Sequence, residues 1–310
     1  MQKYFSKQLF RNTRVLMYHG VSLSGGNGTI RVIDFERHIR FLLEHFRFIS
    51  IDELNETPEK EKRRILLTFD DGFHNNYLYA VPILKKLNIP ATFFISHRHC
   101  QKDLFLWFSY IRALSVFYKE PEFIWRGEIF DFKVKKRKES IQKIRDILLD
   151  LNPHPSEIYK VISNEFPPIE TFVSPDNISE YFSGMSRKEL KAISSNPLFE
   201  LGIHTADHAF LTRSKVEEVH EQLLQNIDFL EEISQLKPQA IAYPSGDYNE
   251  SILKVCRELE IPIGFSIIPI RREWNYQDIP RIGVYSPSLV KLMIKLSFID
   301  QLRNLNFKIG

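Results

Sequence analysis

The chain has 310 residues, with a hydrophobic fraction of 43% and a formal net charge of +3. This length and composition are typical of a globular protein with a sizeable core, and they fit one large α/β domain or two smaller ones. The small net charge gives no reason to expect a nucleic-acid partner. Cys100 and Cys256, the two cysteines, have no paired spacing, which argues against a disulfide framework and a cysteine-rich zinc site.

The N-terminal residues 1–14 are basic and interrupted by polar side chains, and they contain no apolar run of signal-peptide length. We interpret this stretch as a fraying terminal helix, with a short interfacial helix as the alternative. No later stretch reaches the roughly twenty apolar residues of a membrane-spanning helix. The sequence therefore predicts a cytoplasmic protein without an integral membrane segment.

The first predicted strand covers residues 14–21 and has His19 near its carboxyl end. This histidine has a plain interpretation, a side chain with satisfied hydrogen bonds beside a turn glycine. Asp34 is expected to cap a helix that runs to about His45, because its apolar residues recur at helical spacing. A short strand is predicted at residues 48–50.

Residues 65–72, ILLTFDDG, predict a buried strand that ends in two adjacent carboxylates and a glycine. Binding and catalytic residues are concentrated at strand ends in α/β folds. Neighbouring side chains on an extended backbone point in different directions, so Asp70 and Asp71 can serve different purposes, one binding a metal and the other facing water or substrate. The alternative is a strand followed by an Asp-Gly turn without chemistry.

A helix is predicted around residues 81–87, followed by a second buried strand at residues 91–96, ATFFIS. This strand–helix–strand unit argues for a parallel sheet. Residues 97–182 interrupt the alternation with predicted helices and with a hairpin over residues 123–132 that turns near Gly127. We interpret this stretch as an α+β insertion packed beside or over the site.

The pattern resumes with a capping box formed by Ser186 and Glu189, and a strand at residues 199–203 that leads to His204 and His208. Two histidines four residues apart would lie on one face of a helical turn, a spacing suited to one metal ion, although such a pair is often only polar surface. Joined with Asp71, they would form a His-His-carboxylate site with positions left open for water and substrate.

The remaining predicted elements are helices over residues 216–233 and 252–259, a strand over residues 263–268 and a terminal helix after residue 286. No internal repeat or low-complexity tract interrupts them.

Two motifs together resemble those of the polysaccharide deacetylase family, also called the NodB-homology or carbohydrate esterase family 4 group. Residues 68–72, TFDDG, and residues 204–208, HTADH, match its Thr-Phe-Asp-Asp-Gly and His-Ser/Thr-x-x-His motifs. The resemblance covers roughly residues 14–96 and 183–285, with the insertion unmatched. It implies an irregular (β/α) barrel, often of seven strands, and therefore an α/β fold class.

The resemblance also implies roles for individual residues. Asp71, His204 and His208 would hold one divalent metal, for which zinc suits the ligands, and Asp70 would be the catalytic base. Many relatives have an arginine just before a Tyr-Pro-x-Gly motif to steer that base. Here Ala240 and Ala242 stand before the motif, and Arg281, in a segment that resembles the family's late Pro-Arg-Ile, is the candidate for this role.

The general acid of many relatives is a histidine in a late Leu-Leu-His-Asp-like motif, but this chain has no histidine after His220. Some members of the family are circularly permuted, with the equivalent strand at the N-terminus reading Tyr-His. Residues 17–20, MYHG, match that arrangement. The resemblance therefore implies a circularly permuted member with His19 as the general acid.

The implied activity is metal-dependent removal of N-acetyl groups from an amino-sugar glycan or glycan precursor, releasing acetate. The oxyanion would be stabilised by the backbone N–H of Tyr243, with Pro244 and Gly246 shaping the substrate groove. The alternatives are an esterase or amidase of other specificity on the same fold, and a carbohydrate-binding protein that has lost activity. The predicted catalytic domain covers residues 14–285, including the insertion at 97–182, and residues 286–310 form a C-terminal helix and tail.

Overall fold

The computed structural model describes residues 13–56, 63–101, 104–151, 155–267 and 276–305. The predicted N-terminal helix and the end of the predicted tail, residues 306–310, lie outside the described residues.

Thirteen strands are present in the described residues, nine of them in one parallel sheet. In chain order they are β1 Thr13–Tyr18, β2 Gly20–Ser22, β3 Thr29–Arg31, β4 Arg47–Ile49, β5 Arg64–Phe69, β6 Ala91–Ile95, β7 Glu122–Trp125, β8 Glu128–Asp131, β9 Phe199–Ile203, β10 Ala240–Ala242, β11 Ile263–Ser266, β12 Ile279–Pro280 and β13 Ile282–Gly283. The main sheet has the order β12-β11-β10-β9-β6-β5-β1-β13, and β4 pairs with β5.

The last two strands close this sheet into a barrel. Phe265 of β11 pairs with Ile279 of β12, whereas Leu16 of β1 pairs with Ile282 of β13. Both edges of the sheet therefore meet the same short chain segment, which is interrupted at Arg281. The predicted (β/α) barrel is confirmed. Its strands number nine rather than seven, because the closing segment is divided in two and β4 lies beside the start of β5.

The strands of the barrel wall are buried because helices cover them, as the continuous apolar runs predict. Every residue of β1, β5 and β6 is buried. The helices are α1 Val32–His45, α2 Val81–Leu87, α3 Trp107–Phe117, α4 Arg137–Leu151, α5 Pro155–Glu165, α6 Pro175–Tyr181, α7 Arg187–Ser194, α8 Val216–Ser234, α9 Glu250–Glu258 and α10 Leu289–Leu305.

Helix α1 begins three residues earlier than its sequence predicts. Arg31 occupies the N-cap position, and no side chain caps the helix. Asp34 lies inside the first turn, where it is buried and forms ion pairs with Arg31 and Arg37. The prediction that Asp34 is the cap was therefore wrong. Its carboxylate neutralises two flanking arginines and benefits from the helix dipole, which makes it favourable inside the first turn.

The insertion has a hydrophobic cluster of its own. Eighteen buried side chains between Trp107 and Phe182 form this cluster, which we call the insertion core. The predicted hairpin is confirmed as β7 and β8, and its turn residues Arg126 and Gly127 have φ values of 52° and 78°. Such a separate core supports the proposed insertion at residues 97–182. In contrast, Leu292 and Leu296 of α10 belong to the main core around the barrel.

Among the described residues, we find no helix with both the length and the apolar character needed to cross a membrane.

Candidate active site

The predicted site residues follow different strands but meet at one end of the barrel. His19 follows β1, Asp70 and Asp71 follow β5, and His204 follows β9. All these strands are parallel, so their carboxyl ends lie at the same rim. The structure therefore brings together residues that are separated by up to 185 positions in the chain.

Asp71, His204 and His208 form a buried cluster. The Nε2 atoms of His204 and His208 lie 3.3 and 3.5 Å from Oδ1 of Asp71. One ligand atom from each residue lies within 4.8 Å of the other two, a spacing that could hold a metal ion. The predicted metal ligands are thus brought together.

The two histidines do not lie on a helical turn, so that part of the prediction was wrong. The residues after β9 form a loop in which Thr205 and His208 have positive φ values of 63° and 55°. Asp71 is likewise left-handed, with a φ of 75°. Non-glycine residues rarely adopt this conformation, and such strain is concentrated at functional sites. Periodicity does not reveal a left-handed turn, which is why the sequence suggested a helix.

The hydrogen bonds of His204 fix which ring nitrogen faces Asp71. Its Nδ1–H donates to the carbonyl oxygen of Ala242 at 2.7 Å. In neutral imidazole the other nitrogen, Nε2, then has a lone pair, and this lone pair faces a carboxylate oxygen. Both carboxylate oxygens of Asp71 are buried without a hydrogen-bond partner among the described residues. A cation between electron-pair donors that face each other is favourable, so these residues fit a bound metal ion.

The electrostatics of the cluster agree with this interpretation. Burial alone would raise the pKa of Asp71, but His204, His19 and His208 lower it well below its ordinary value. Burial opposes protonation of His204, but the charges of Asp70 and Asp71 raise its pKa. Burial lowers the pKa of His208 to about 4, so this imidazole is neutral near pH 7, the form that binds metals.

Asp70 lies beside the cluster in a two-pronged ion pair. Arg281 donates from Nη1 to Oδ1 at 2.6 Å and from Nη2 to Oδ2 at 2.7 Å, and both side chains are buried. Nη1 also donates to Thr68 Oγ1 at 3.2 Å. Burial would raise the pKa of Asp70, but Arg281 and His204 lower it below its ordinary value. The predicted contact between Arg281 and Asp70 is therefore present, although the arginine comes from the closing segment and not from the strand before Tyr243.

His19 lies at the same rim. Its Nδ1 is buried without a hydrogen-bond partner among the described residues, and its backbone oxygen accepts a 2.6 Å bond from Asn76. Its ring lies 5.6 Å from that of Tyr285, which follows the closing segment. The charge of His19 contributes to the lowered pKa values of Asp70 and Asp71. These contacts place His19 within electrostatic reach of the aspartate pair.

Tyr243 is not available for the predicted role as an oxyanion donor. Its backbone N–H donates to the carbonyl oxygen of Phe265 at 3.0 Å, and its hydroxyl donates to Gln277 O at 3.0 Å. Pairing between neighbouring strands uses this amide, which a sequence motif does not reveal. The next amide in the chain, that of Ser245, donates to no acceptor among the described residues, and Ser245 is exposed with a φ of 57°.

Pro244 and Gly246 are buried on either side of Ser245. Gly246 has a φ of 71°, and a Cβ atom there would lie 2.8 Å from the backbone nitrogen of Ile267. This close approach explains the glycine. The two residues shape the loop that presents Ser245, and they offer little surface for substrate.

Two further residues contact the candidate site, and no sequence motif indicates either of them. The ring nitrogens of buried His99 lie 3.0 Å from Asp71 O and 2.8 Å from Phe182 O, so His99 connects the backbone of Asp71 to the insertion. Phe108, on α3 of the insertion, packs its ring 4.8 Å from that of His208. The apolar pattern of α3 indicated a helix but gave no information on what that helix contacts.

A family model described as polysaccharide deacetylase matches residues 57–118 and 146–264, more than half of the chain. The match omits His19, Arg281 and residues 119–145 of the insertion. The circular permutation was inferred from the position of His19. It stays a prediction, because neither His19 nor the closing segment falls within the matched residues.

Among curated proteins, the Bacillus subtilis (strain 168) protein named "Putative polysaccharide deacetylase YxkH" is 34% identical over 95 residues. The alignment covers 27% of this chain and 34% of that relative, so the chain matches about a third of the relative's length.

The barrel is similar to those of solved structures. IcaB from Ammonifex degensii has a TM-score of 0.59 at 16% identity, covering 94% of this chain and 97% of that chain. The deacetylase PplD of Streptococcus pyogenes, solved with acetate, has a TM-score of 0.55 at 18% identity, covering 90% and 96%. At such low identity these similarities establish the fold alone.

Proposed function

Because the chain belongs to the polysaccharide deacetylase family, we propose that it is a metal-dependent hydrolase that removes an N-acetyl group from an amino sugar and releases acetate. The observation that supports this most directly is the buried cluster of Asp71, His204 and His208 next to the ion pair of Asp70 and Arg281. Three protein ligands with room for a further group are typical of catalytic zinc sites, and zinc suits two imidazoles and a carboxylate.

An amide resists hydrolysis because its carbonyl is a weak electrophile and its nitrogen is a poor leaving group. When bound, a divalent ion polarises the carbonyl and lowers the pKa of its water from about 16 to near 7. The protein must supply the remaining groups: a base for the water proton, an acid for the leaving nitrogen and a donor for the oxyanion.

Asp70 is the proposed base. Its lowered pKa keeps it ionised near neutral pH, and Arg281 orients both carboxylate oxygens. Each oxygen has a second lone pair, so an ion-paired carboxylate can still accept a proton from water. His19, with an unpartnered Nδ1, is the proposed acid that donates a proton to the leaving amine. The free N–H of Ser245 replaces that of Tyr243 as the proposed oxyanion donor.

The contact between Arg281 and Asp70 answers the sequence argument for an inactive sugar-binding protein. The arginine that many relatives have before the Tyr-Pro-x-Gly motif is missing here, but the closing segment supplies a guanidinium to Asp70. No residue required for the proposed chemistry is missing from the described part of the chain. An esterase or amidase of other specificity could use the same residues and would differ only in its substrate. Aryl acetates and simple amides are therefore included as substrates in the same experiment.

The experiment is mass spectrometry of N-acetylated glycans after incubation with the zinc-loaded protein. We expect loss of one acetyl group and release of acetate. Chelation should abolish the reaction, added zinc should restore it, and His204→Ala should be inactive and bind no zinc. His45→Ala, at the end of α1, is the matched control and should stay active. Hydrolysis of aryl acetates or simple amides without any reaction on N-acetyl sugars would contradict the proposal.

A further inference from the structure

Helix α3 of the insertion spans the rim of the barrel between two parts of the candidate site. At one point Phe108 packs its ring 4.8 Å from that of the metal-ligand candidate His208. One turn later, on the same face, Arg112 donates from Nη1 to the backbone oxygen of Asn27 at 3.0 Å. Asn27 belongs to the loop between β2 and β3, shortly after His19. The side chain of Arg112 therefore lies over the rim. It lies between the loop that follows His19 and the cluster of Asp71, His204 and His208.

Arg112 has an uncompensated charge. It is partly buried, and no carboxylate among the described residues lies within ion-pair distance of it. Its single hydrogen bond, to Asn27, uses one of the five N–H donors of the guanidinium. Its Nε and Nη2 have no partner in the described structure and are not sealed from solvent. Removing such a charge from water without a counter-ion is unfavourable, so the position fits a guanidinium that meets an anion from outside the protein.

The loop beneath Arg112 is shaped for this side chain. Gly28 has a φ of 87°, and a Cβ atom there would lie 2.2 Å from Nη1 of Arg112. A residue other than glycine would therefore displace the guanidinium. The burial of Arg112 lowers its pKa, whereas the charge of Asp71 raises it, which agrees with a location near the metal cluster.

We propose that Arg112 binds an anionic group of the substrate, a phosphate or a carboxylate, next to the acetamide that is hydrolysed. Guanidinium donors arranged in a planar fork match these oxyanions in geometry and in charge. The substrate is then an N-acetylated sugar with a negative charge within reach of the reacting group. This inference depends on the proposed deacetylase function and narrows its substrate class, because a neutral glycan offers Arg112 no counter-charge.

Either of two sources can supply the anion. A glycosyl phosphate is present in lipid-linked and nucleotide-linked precursors, and a uronic acid is present in acidic polymers. The test therefore uses three probes: N-acetylglucosamine 1-phosphate, a disaccharide of N-acetylglucosamine and glucuronic acid, and neutral di-N-acetylchitobiose. Binding to the zinc-loaded protein is measured by calorimetry, and deacetylation is measured by mass spectrometry.

We expect wild type to bind at least one anionic probe more tightly than the neutral one. Arg112→Gln should raise the Kd and KM of that probe about 10- to 100-fold, the range of a charge-assisted hydrogen bond, with a smaller effect on kcat. The affinity for the neutral probe should fall less in Arg112→Gln. Arg112→Lys should keep part of the preference for the anionic probe. Arg145→Gln, which removes an exposed positive charge from the same insertion, should leave the preference intact.

If Arg112→Gln lost equal affinity for charged and neutral probes, the inference would be overturned. Arg112 would then only support the loop that contains Asn27. Equal losses in Arg112→Gln and Arg145→Gln would overturn it as well, because the general field of the insertion would then explain the preference. Gly28→Ala displaces the guanidinium without removing its charge, and we expect it to lower the affinity for the same anionic probe. If no probe is deacetylated, the proposed function fails, while the calorimetric comparison still decides whether Arg112 binds the anion.

Discussion

Asp70 and Asp71 are neighbours in the chain, but their surroundings differ. Asp70 shares two hydrogen bonds with Arg281, which leaves it ionised and oriented. Asp71 has no hydrogen-bond donor on either oxygen and faces two imidazole nitrogens. Two neighbouring carboxylates at one rim of the barrel thus have different partners, an arginine for Asp70 and two imidazoles for Asp71.

We predict that replacing each aspartate by asparagine separates these roles. Asp70→Asn should keep the metal and lose turnover by about 10²–10⁴-fold, because it removes a base without removing a ligand. Asp71→Asn should lose the metal itself. Zinc content measured by plasma mass spectrometry, together with rates on an N-acetyl substrate, distinguishes the two variants. The reverse pattern would mean that the roles are exchanged.

His19 gives a second prediction at the scale of single residues. His19→Ala should keep fold and zinc but lose roughly 10²–10⁴-fold in rate on an N-acetyl substrate, since amide cleavage needs a proton for the leaving nitrogen. The loss should be smaller on an aryl acetate, whose phenolate leaves without help. The measurement is a comparison of kcat on both substrates. Equal losses on the two would argue against an acid role.

The sequence predicted most of the side chains that meet at the candidate site, because carboxylates and imidazoles at strand ends can be identified by residue type. It could not predict how the backbone directs them. The left-handed turns at Thr205 and His208, and the use of the Tyr243 amide by Phe265, depend on φ values and strand pairing that no motif encodes. The Tyr243 amide was therefore predicted for a role that its bond to Phe265 O does not allow.

At the scale of elements, the segment that leaves the insertion lies against the loop that contains the aspartates. Met185 N donates to Gly72 O at 2.9 Å, and His74 N donates to Ser183 O at 2.9 Å. Between these bonds, Gly184 approaches so closely that a Cβ atom would lie 1.7 Å from the carbonyl oxygen of His99. The backbone beside Asp71 is thus supported from the insertion side by backbone contacts.

We predict that Gly184→Ala destabilises the protein by about 1–3 kcal/mol or more, because a backbone oxygen cannot move aside without shifting the chain. Zinc affinity should fall with stability, since the displaced segment supports the residue after Asp71. Gly127→Ala, in the hairpin turn, is the control: open space surrounds its Cβ position, although its φ of 78° is strained. Denaturant unfolding and zinc titration of both variants provide the comparison. Unchanged zinc affinity in Gly184→Ala would show that the segment around Gly184 does not support the metal-binding residues.

The strands and helices were the most predictable elements. Continuous apolar runs predicted β5 and β6, and the capping box at Ser186 was confirmed in every detail. The start of α1 was predicted wrongly, because an ion pair within the first turn has the same sequence signature as a cap. The insertion was visible as an interruption. The insertion core could not be predicted, because the spacing of aromatic residues does not indicate which helices pack together.

At the scale of the whole molecule, stability should depend on a carboxyl group far from the site. Glu200 lies near the start of β9, and burial together with Asp52 and Glu53 raises its pKa to about 7, while a bond from Ile51 N opposes this. The fold therefore favours the protonated form. The stabilisation is complete below the unfolded pKa, near 4.5, and is lost as pH rises from there through about 7.

We predict that Glu200→Gln raises the melting temperature at pH 8 but changes it little at pH 5. The amide mimics the protonated acid and can still accept the bond from Ile51 N. Thermal unfolding monitored by circular dichroism across this pH range is the measurement. Glu120→Gln, an exposed change of the same chemistry, should show no such difference. A parallel shift at both pH values would exclude linkage through Glu200.

The closing segment of the barrel also has a consequence for synthesis. Arg281, at the break between β12 and β13, is made 211 residues after Asp70, a delay of roughly 10–40 s at ribosomal elongation rates. Until then the nascent barrel has an open edge, and burial of the Asp70 carboxylate would be costly without its guanidinium. The closing segment therefore completes the wall and neutralises the buried carboxylate in one event. A nascent chain that has not reached this segment has neither a closed barrel nor an oriented Asp70.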